Sequence, residues 1–517
     1  MRRFLYVGVF FAGCTSLAVE LTASRLLGNY FGSSNLVWAT IIGLVLIYLS
    51  VGYTIGGKWA DRSPNFKTFF SILLWASLLI GLVPLASRPI LRAASQAFDQ
   101  LQVAEMIGSF VSVLLLFSLP VTLLGTASPF AVRLAIDDKE SSGKTAGKIY
   151  ALSTLGSFIG TFLPVLVLIP ILGTYRTFVA ISAMLMIPAW IGMGITVNFK
   201  SAIRFLWMPL TLLFATWIGI RGFDKIAENV IYEGESAYNY IQVQEIDGYR
   251  ILRLNEGQGI HSIYHPQIKN YNGPWEQVLV SPFFYDPKES PFNVNRIAIL
   301  GLAAGTSAKQ ALTVFPDAEI DGFEIDPEII EVGYDLFNME DENLVVYAMD
   351  ARAGLNRSGY SYDIVSVDAY RPPYIPWHLT TREFFLEIKN KLTEKGTLVI
   401  NVARIFDDRR LVDSLYQTIQ TEFPSVYIVD IPNSLNSMIF ATRNPSKFEN
   451  LIQNYMFLED SPTQNPLLLS ALEIAILNQQ PTPETGIILT DDLAPIEQIT
   501  NSMVFDLFFS NQFGELH

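Results

Sequence analysis

The sequence predicts a two-part chain: a multi-pass α-helical membrane domain, then an α/β Rossmann-like domain with a small β-hairpin subdomain at its head. Three observations predict it. Apolar runs of about 20 residues, the length that crosses a bilayer as a helix, fill the first 220 positions. Beyond them the pattern changes to period two, and from Arg296 strand-like and helix-like segments alternate. Charge divides at the same place. Residues 1–225 carry 17 Lys/Arg against 8 Asp/Glu, and residues 226–517 carry 18 against 41, so a net +9 precedes a net −23 within a total of −14.

The membrane domain, 1–225, shows seven apolar stretches, near 4–24, 35–57, 68–87, 106–128, 149–172, 175–197 and 203–220. The first is too long for a cleaved leader and is followed by six more, so it is read as a retained helix. Glu20 lies inside that first stretch, and an acid at such depth is a functional candidate or a residue reaching the interface. Gly57 to Arg62 resembles the G-x-x-x-D-R loop of major facilitator transporters, with a loop-anchoring pair as the simpler alternative. Residues 85–105, interrupted by Arg88 and Arg92, read as interfacial. If the N terminus is cytoplasmic, inside loops hold 11 basic residues and outside loops 4 before the last helix. Seven spans would then carry the acidic half outside. For a multi-pass cell-membrane protein the side of the soluble domain is thus left open, with a lean toward the cytoplasm.

Residues 226–295 form the expected β subdomain. Tyr238–Ile246 and Tyr249–Leu254 flank Asp247-Gly248, which supplies the positive φ of a tight hairpin turn. From 296 to 517, strands are expected at 296–300, 319–325, 344–349, 362–369, 396–403, 425–431 and near 437–442. Helices are expected at 305–315, 327–337, 380–392 and 407–422. That alternation means a mainly parallel sheet with helices on both faces, and ligands in such sheets sit at the carboxyl ends of the strands.

The first strand runs into Gly301-Leu302-Ala303-Ala304-Gly305-Thr306, small residues that let a ligand approach a helix N terminus. Ala303 and Thr306 break the G-x-G-x-x-G of a pyrophosphate site. Glu324 ends the second strand, where an acid takes both ribose hydroxyls. Asp350 ends the third, where it or the amide of Ala351 reads an adenine edge. A glycine loop, a ribose acid and an adenine acid, without a phosphate-binding lysine, indicate the S-adenosylmethionine methyltransferase type of sheet.

Five segments then carry a family resemblance: Ser236-Ala237-Tyr238-Asn239-Tyr240-Ile241, Gly273-Pro274-Trp275-Glu276, Ile299-Leu300-Gly301, Phe323-Glu324-Ile325-Asp326, and Val367-Asp368 before Pro372. Residues 236–443 resemble the spermidine synthases (polyamine aminopropyltransferases), and the whole chain looks like their membrane-fused relatives. The resemblance implies a transferase of polyamine biosynthesis that moves an aminopropyl group from decarboxylated S-adenosylmethionine to an amine such as putrescine. It implies cofactor binding by Gly301, Gly305, Glu324, Asp350 and Ala351, and a catalytic loop holding Asp368, Tyr370 and Arg371. Tyr238, His261, Glu276 and Tyr374 are the substrate-side candidates.

The sequence departs from the family where the donor tail would bind. Ala304 stands for the glycine-loop acid, Arg371 for the second acid of D-x-x-D-P, Val280 for a donor-binding histidine and Asn239 for a glutamine. An attacking ammonium needs a base, which Asp368, Tyr370, Glu276, His261 or His378 would have to supply. Arg371 opposes a cationic tail and suits the carboxylate of intact S-adenosylmethionine. Tyr370, Tyr374 and Trp377 either line a pocket or pack a loop. Three readings stay open: aminopropyl transfer, methyl transfer from S-adenosylmethionine, and a noncatalytic sensor or transport-coupled protein that binds an adenosyl ligand.

One cysteine, Cys14, and four histidines exclude a disulfide framework and a Cys-rich metal site. No metal is expected. The soluble half has no basic patch for nucleic acid, so the expected partners are an amine, the lipid bilayer and a second copy in a homodimer. Asp491-Asp492, with Pro495 and Glu497, form a late acidic loop suited to neutralising a basic neighbour or to fixing the C terminus.

Overall fold

The computed structural model describes residues 2–31, 35–98, 104–136, 142–219, 229–255, 259–287, 293–371, 374–405, 407–461 and 464–509. Pro372 of the expected catalytic loop lies outside them. The chain divides into two compact units, Met1–Ile226 and Ala227–His517.

The first unit is helical: α1 (Arg2–Phe31), α2 (Asn35–Arg62), α3 (Phe66–Phe98), α4 (Ala104–Ala135), α5 (Ser142–Leu163), α6 (Ile169–Thr196), α7 (Phe199–Ile203) and α8 (Trp207–Gly219). A π-helical turn, Pro164–Leu168, joins α5 to α6. Among the described residues, five runs are long and apolar enough to cross a membrane, the last being the 55 residues Ser142–Thr196. Two of the seven expected stretches merge in that run, and they part at Gly173, whose φ of 74° and ψ of 170° break the helix. The seventh stretch is interrupted by a turn at 204–206, and α8 takes up its last 13 described residues. The stretch expected at the interface instead continues α3 through Pro84 and Pro89 to Phe98.

Glycine seams set the helix spacing. A Cβ on Gly156 would lie 2.1 Å from the Phe10 carbonyl oxygen, and one on Gly160 would lie 2.0 Å from that of Cys14. Both numbers rise together along the two helices, so α1 and α5 are parallel and in backbone contact. Gly52 and Gly56 bring α2 against Thr122 and Thr126 of α4 in the same way. Asp61 pairs with Arg133 of α4 at 3.2 Å and anchors the end of α2.

The second unit begins with an antiparallel sheet of β1 (Val230–Glu235), β2 (Tyr240–Ile246), β3 (Tyr249–Leu254) and β4 (Ser262–Tyr264), in that order. Next come β5 (Arg296–Leu300), α9 (Thr306–Val314), β6 (Glu319–Glu324), α10 (Pro327–Phe337), β7 (Leu344–Ala348), α11 (Ala351–Arg357) and β8 (Tyr362–Val367). α12 (Arg382–Lys391), β9 (Leu392–Ala403), α13 (Arg410–Gln420), β10 (Ser425–Asp430) and β11 (Asn436–Thr442) follow. α14 (Glu449–Glu459), α15 (Pro466–Leu477), β12 (Gln479–Gln480) and α16 (Ile496–Phe509) complete the unit.

The large sheet has the order β12-β10-β11-β9-β8-β5-β6-β7, parallel from β9 to β7, with β11 antiparallel to β9 and β10. Side chains of β5 alternate between its faces. Ala298 and Leu300 join the core under α12, α13 and α16, while Ile297 and Ile299 join the core under α9 and α15. On the small sheet, Ile241, Val243, Leu252 and Leu254 pack on Ile329, Val332 and Phe337 of α10. The chain leaves β5 toward β6 and β7, then returns to β8 on the other side. That reversal lies between β5 and β8, where an open sheet of this kind offers a crevice.

Candidate functional site

Gly301 and Gly305 shape the loop after β5. Both take positive φ, 96° and 87°, and a Cβ on Gly301 would lie 2.5 Å from the carbonyl oxygen of Asp368. Only glycine lets the β5 and β8 loops approach so closely. Gly305 is the N-cap of α9. Glu324 closes β6 and is buried beside this loop, where its carboxylate accepts from the Ala303 N–H at 3.0 Å and the Asp326 N–H at 3.0 Å. Burial, with the neighbouring Asp326 charge adding to it, pushes its pKa up to about 7 against those two donors.

Asp350, just after β7, caps α11 by accepting from the Ala353 N–H at 2.9 Å. Its other oxygen meets His378 Nε2 at 2.9 Å, and that contact holds the carboxyl below the usual carboxylate range. Arg352, in the first turn of α11, is clamped by Glu387 at 2.7 Å and Asp491 at 2.8 Å. Asp491 of the late acidic loop therefore neutralises a basic neighbour and fixes the helix that presents Asp350 and Ala351.

Asp368 follows β8. Asn401 of β9 donates to its Oδ1 at 2.9 Å, yet burial outweighs that bond and raises the carboxyl to about 6. The Tyr370 hydroxyl donates to the Asn401 carbonyl at 3.1 Å and accepts from the Ala403 N–H at 2.8 Å. Its pKa is driven up by burial. Both functions of the phenol are thus spent closing the loop on β9, which leaves no base there. Arg371 is exposed and exchanges backbone hydrogen bonds with Tyr374. Tyr374 is buried, and its hydroxyl donates to Asn501 of α16 at 2.7 Å, so it packs the loop. Trp377 is half exposed.

The hairpin side is organised by a residue not singled out in the sequence. Buried Asp326 accepts from the Ser236 hydroxyl at 2.6 Å and the Asn239 amide at 2.9 Å, and caps α10 through the Glu328 N–H at 3.1 Å. Asn255 donates in turn to Asn239 at 2.9 Å. Tyr238 beside them is exposed. Ala304 is fully buried, its N–H donating to the Ser262 hydroxyl at 2.9 Å. Glu276 is buried, and its oxygens accept from Tyr271 N–H (2.6 Å), Gly273 N–H (2.9 Å) and Gln310 Nε2 (2.7 Å). That carboxylate fastens its loop to α9. Burial and the Arg253 charge lower His261 to about 4, and its Nε2 meets no partner among the described residues. Val280 is buried under the sheet.

Glu324, Asp350, Asp368 and the Gly301–Gly305 loop therefore line the carboxyl ends of β6, β7, β8 and β5, whereas Glu276, Tyr370 and Tyr374 are tied up in structure. Asn401, Asp326 and the His378 contact to Asp350 add to the group. This is an α/β Rossmann-like sheet with acids gathered at its strand ends. Residues 287–454 match the model of the spermine/spermidine synthase domain. The chain is 32% identical over 234 residues to a probable polyamine aminopropyl transferase of Bifidobacterium longum, covering 44% of this chain and 51% of that protein, about half its length. It is 30% identical over 222 residues to the polyamine aminopropyltransferase of Lachnospira eligens, 41% of this chain and 74% of that one. With polyamine aminopropyltransferase 2 of Aquifex aeolicus it shares 24% identity over 455 residues, 86% and 88% of the two chains. The chain belongs to the spermidine synthase family.

Proposed function

We propose that the second unit transfers an aminopropyl group from an adenosyl-sulfonium donor to an amine, and that the helical unit anchors it in a lipid bilayer. The observation that carries the reading is the row of Asp350, Glu324, Gly301 and Asp368 across four adjacent strands, β7-β6-β5-β8. The residues fit such a donor. Glu324 offers two carboxylate oxygens to paired ribose hydroxyls, once these displace the Ala303 and Asp326 amides. Asp350 and the first N–H groups of α11 suit an adenine edge. When bound, the donor supplies a carbon activated by its sulfonium. Asp368, half buried and raised to about 6, is largely ionised at neutral pH and takes up the proton that the amine nitrogen loses on alkylation. Asn401 holds it in place.

A second reading, use of intact S-adenosylmethionine, has its own support. Ala304 is sealed beneath Ser262, so the glycine loop offers no carboxylate to a cationic tail, and Arg371 stands exposed after β8. Calorimetry of the purified full chain with decarboxylated S-adenosylmethionine, the intact compound and methylthioadenosine separates the two. Tighter binding of the decarboxylated donor supports aminopropyl transfer. The opposite order, reversed by Arg371→Asp, supports the second reading, and no binding of any adenosyl compound removes both.

A further inference from the structure

Glu20 sits about 27 Å along α1, a helix of about 45 Å at 1.5 Å per residue, so it falls within the hydrocarbon depth of a bilayer. It is half buried, and no hydrogen bond or ion pair joins it to any described residue, Arg25 included. Gly13, two turns earlier on the same face, touches α5 at the Ser153 carbonyl. Ser16, one turn before Glu20 on that face, is 7% exposed, and its hydroxyl has no partner among the described residues.

The parallel pairing of α1 with α5 sets what Glu20 meets. Phe10 lies against Gly156 and Cys14 against Gly160. Continuing from Gly13 against Ser153 and from Cys14 against Gly160 brings Glu20 level with about residues 160–166, the stretch that runs into the π-helical turn Pro164–Leu168. There the backbone is short of donors. The Ile169 N–H bonds five residues back to the Pro164 carbonyl, and Pro164 itself offers no N–H to the Gly160 carbonyl. Pro170 withholds another from the turn above. A helical turn with a carbonyl left short of a donor, beside a lone acid, offers oxygen partners to a cation at mid-depth.

We propose that Glu20, Ser16 and the π-helical turn form a binding site for the primary ammonium group of an alkylamine within the helical unit. An ammonium head has three N–H donors and no acceptor, which matches a carboxylate, a hydroxyl and a backbone carbonyl. A bare metal ion asks for more oxygens than this face supplies. The inference rests on the membrane reading of the helical unit and not on the transferase chemistry.

The test is equilibrium dialysis of the full chain in nanodiscs against labelled 1,4-diaminobutane, for the unaltered protein, Glu20→Gln and Asp368→Asn. Two classes of site are expected. Glu20→Gln removes one while methylthioadenosine affinity stays unchanged, and Asp368→Asn weakens the other. Ser16→Ala, a milder change, lowers affinity at the Glu20 site several-fold and serves if Glu20→Gln misfolds. An isotherm unaltered in both Glu20→Gln and Ser16→Ala overturns the proposal, as does displacement of the amine by sodium at equal concentration. Loss of binding in Asp368→Asn alone speaks to the transferase site, and release of the protein from membranes by alkaline carbonate speaks to the membrane reading.

Discussion

Glu324 couples its proton to both stability and ligand affinity. Its folded pKa of about 7 lies above the unfolded value of about 4.3. The folded chain therefore keeps a proton that the unfolded chain releases. This contribution to stability is complete below about pH 4.3 and is lost as pH rises through 7. Ribose hydroxyls donate to the ionised form, so methylthioadenosine should bind more tightly as pH passes upward through 7, whereas Glu324→Gln should flatten that dependence in calorimetric titrations. Glu324→Ala, losing charge-assisted bonds of roughly 1.5–3 kcal/mol each, should weaken adenosyl ligands at least about tenfold. Asp368→Asn should lower kcat by about 100-fold or more. The acid limb of kcat/KM should fall near pH 6, and Asn401→Leu should move it upward by removing the one bond that opposes burial. Glu324, Asp350 and Asp368 were legible in the sequence because each lies at, or within two residues of, the end of a strand. Asn401 was not, since its contact to Asp368 spans 33 positions and appears only once β8 and β9 pair.

Among the elements, the glycine seams carry the sharpest expectation. Gly160→Val places a side chain where the Cys14 carbonyl lies, so α1 and α5 must separate. The melting temperature of the detergent-solubilised chain should drop, while Gly143→Val, where the added carbon meets open space, should leave it within about 1 °C of the parent, in line with the small effect of surface changes. The strands β5 to β11 were readable because buried β-branched runs alternate with amphipathic helices. Three kinds of element were not. α11 is only seven residues long and opens on Asp350, whose capping role hides behind its place at a strand end. α15 is apolar almost all round, PLLLSALEIAIL, so periodicity cannot orient it. β12 has two residues and exists only because β10 receives it. In the helical half the gap between the stretches 149–172 and 175–197 falls on the break at Gly173, whereas the extension of α3 was not marked, since helix continuity through Pro84 and Pro89 is decided by neighbouring helices.

For the whole molecule, the positive-loop bias and the supply of adenosyl donors make opposite demands on sidedness. A C-terminal reporter pair decides between them: fluorescence without phosphatase activity is expected if the second unit faces the cytoplasm, and the reverse pattern would exclude it from cytosolic donors. Within that unit, Asp326 has a further consequence. It is two residues past Glu324, and its amide bonds to the Glu324 carboxylate while its own carboxylate grips Ser236 and Asn239 of the hairpin. A nucleoside that claims Glu324 must loosen that amide and so disturbs the same turn that holds the hairpin. Occupancy at the sheet should then be felt as a change in breathing of the hairpin. Hydrogen–deuterium exchange should register methylthioadenosine not only along β5 to β7 but at the amides of 238–246, and Asp326→Asn should sever that echo while leaving the signal at the sheet.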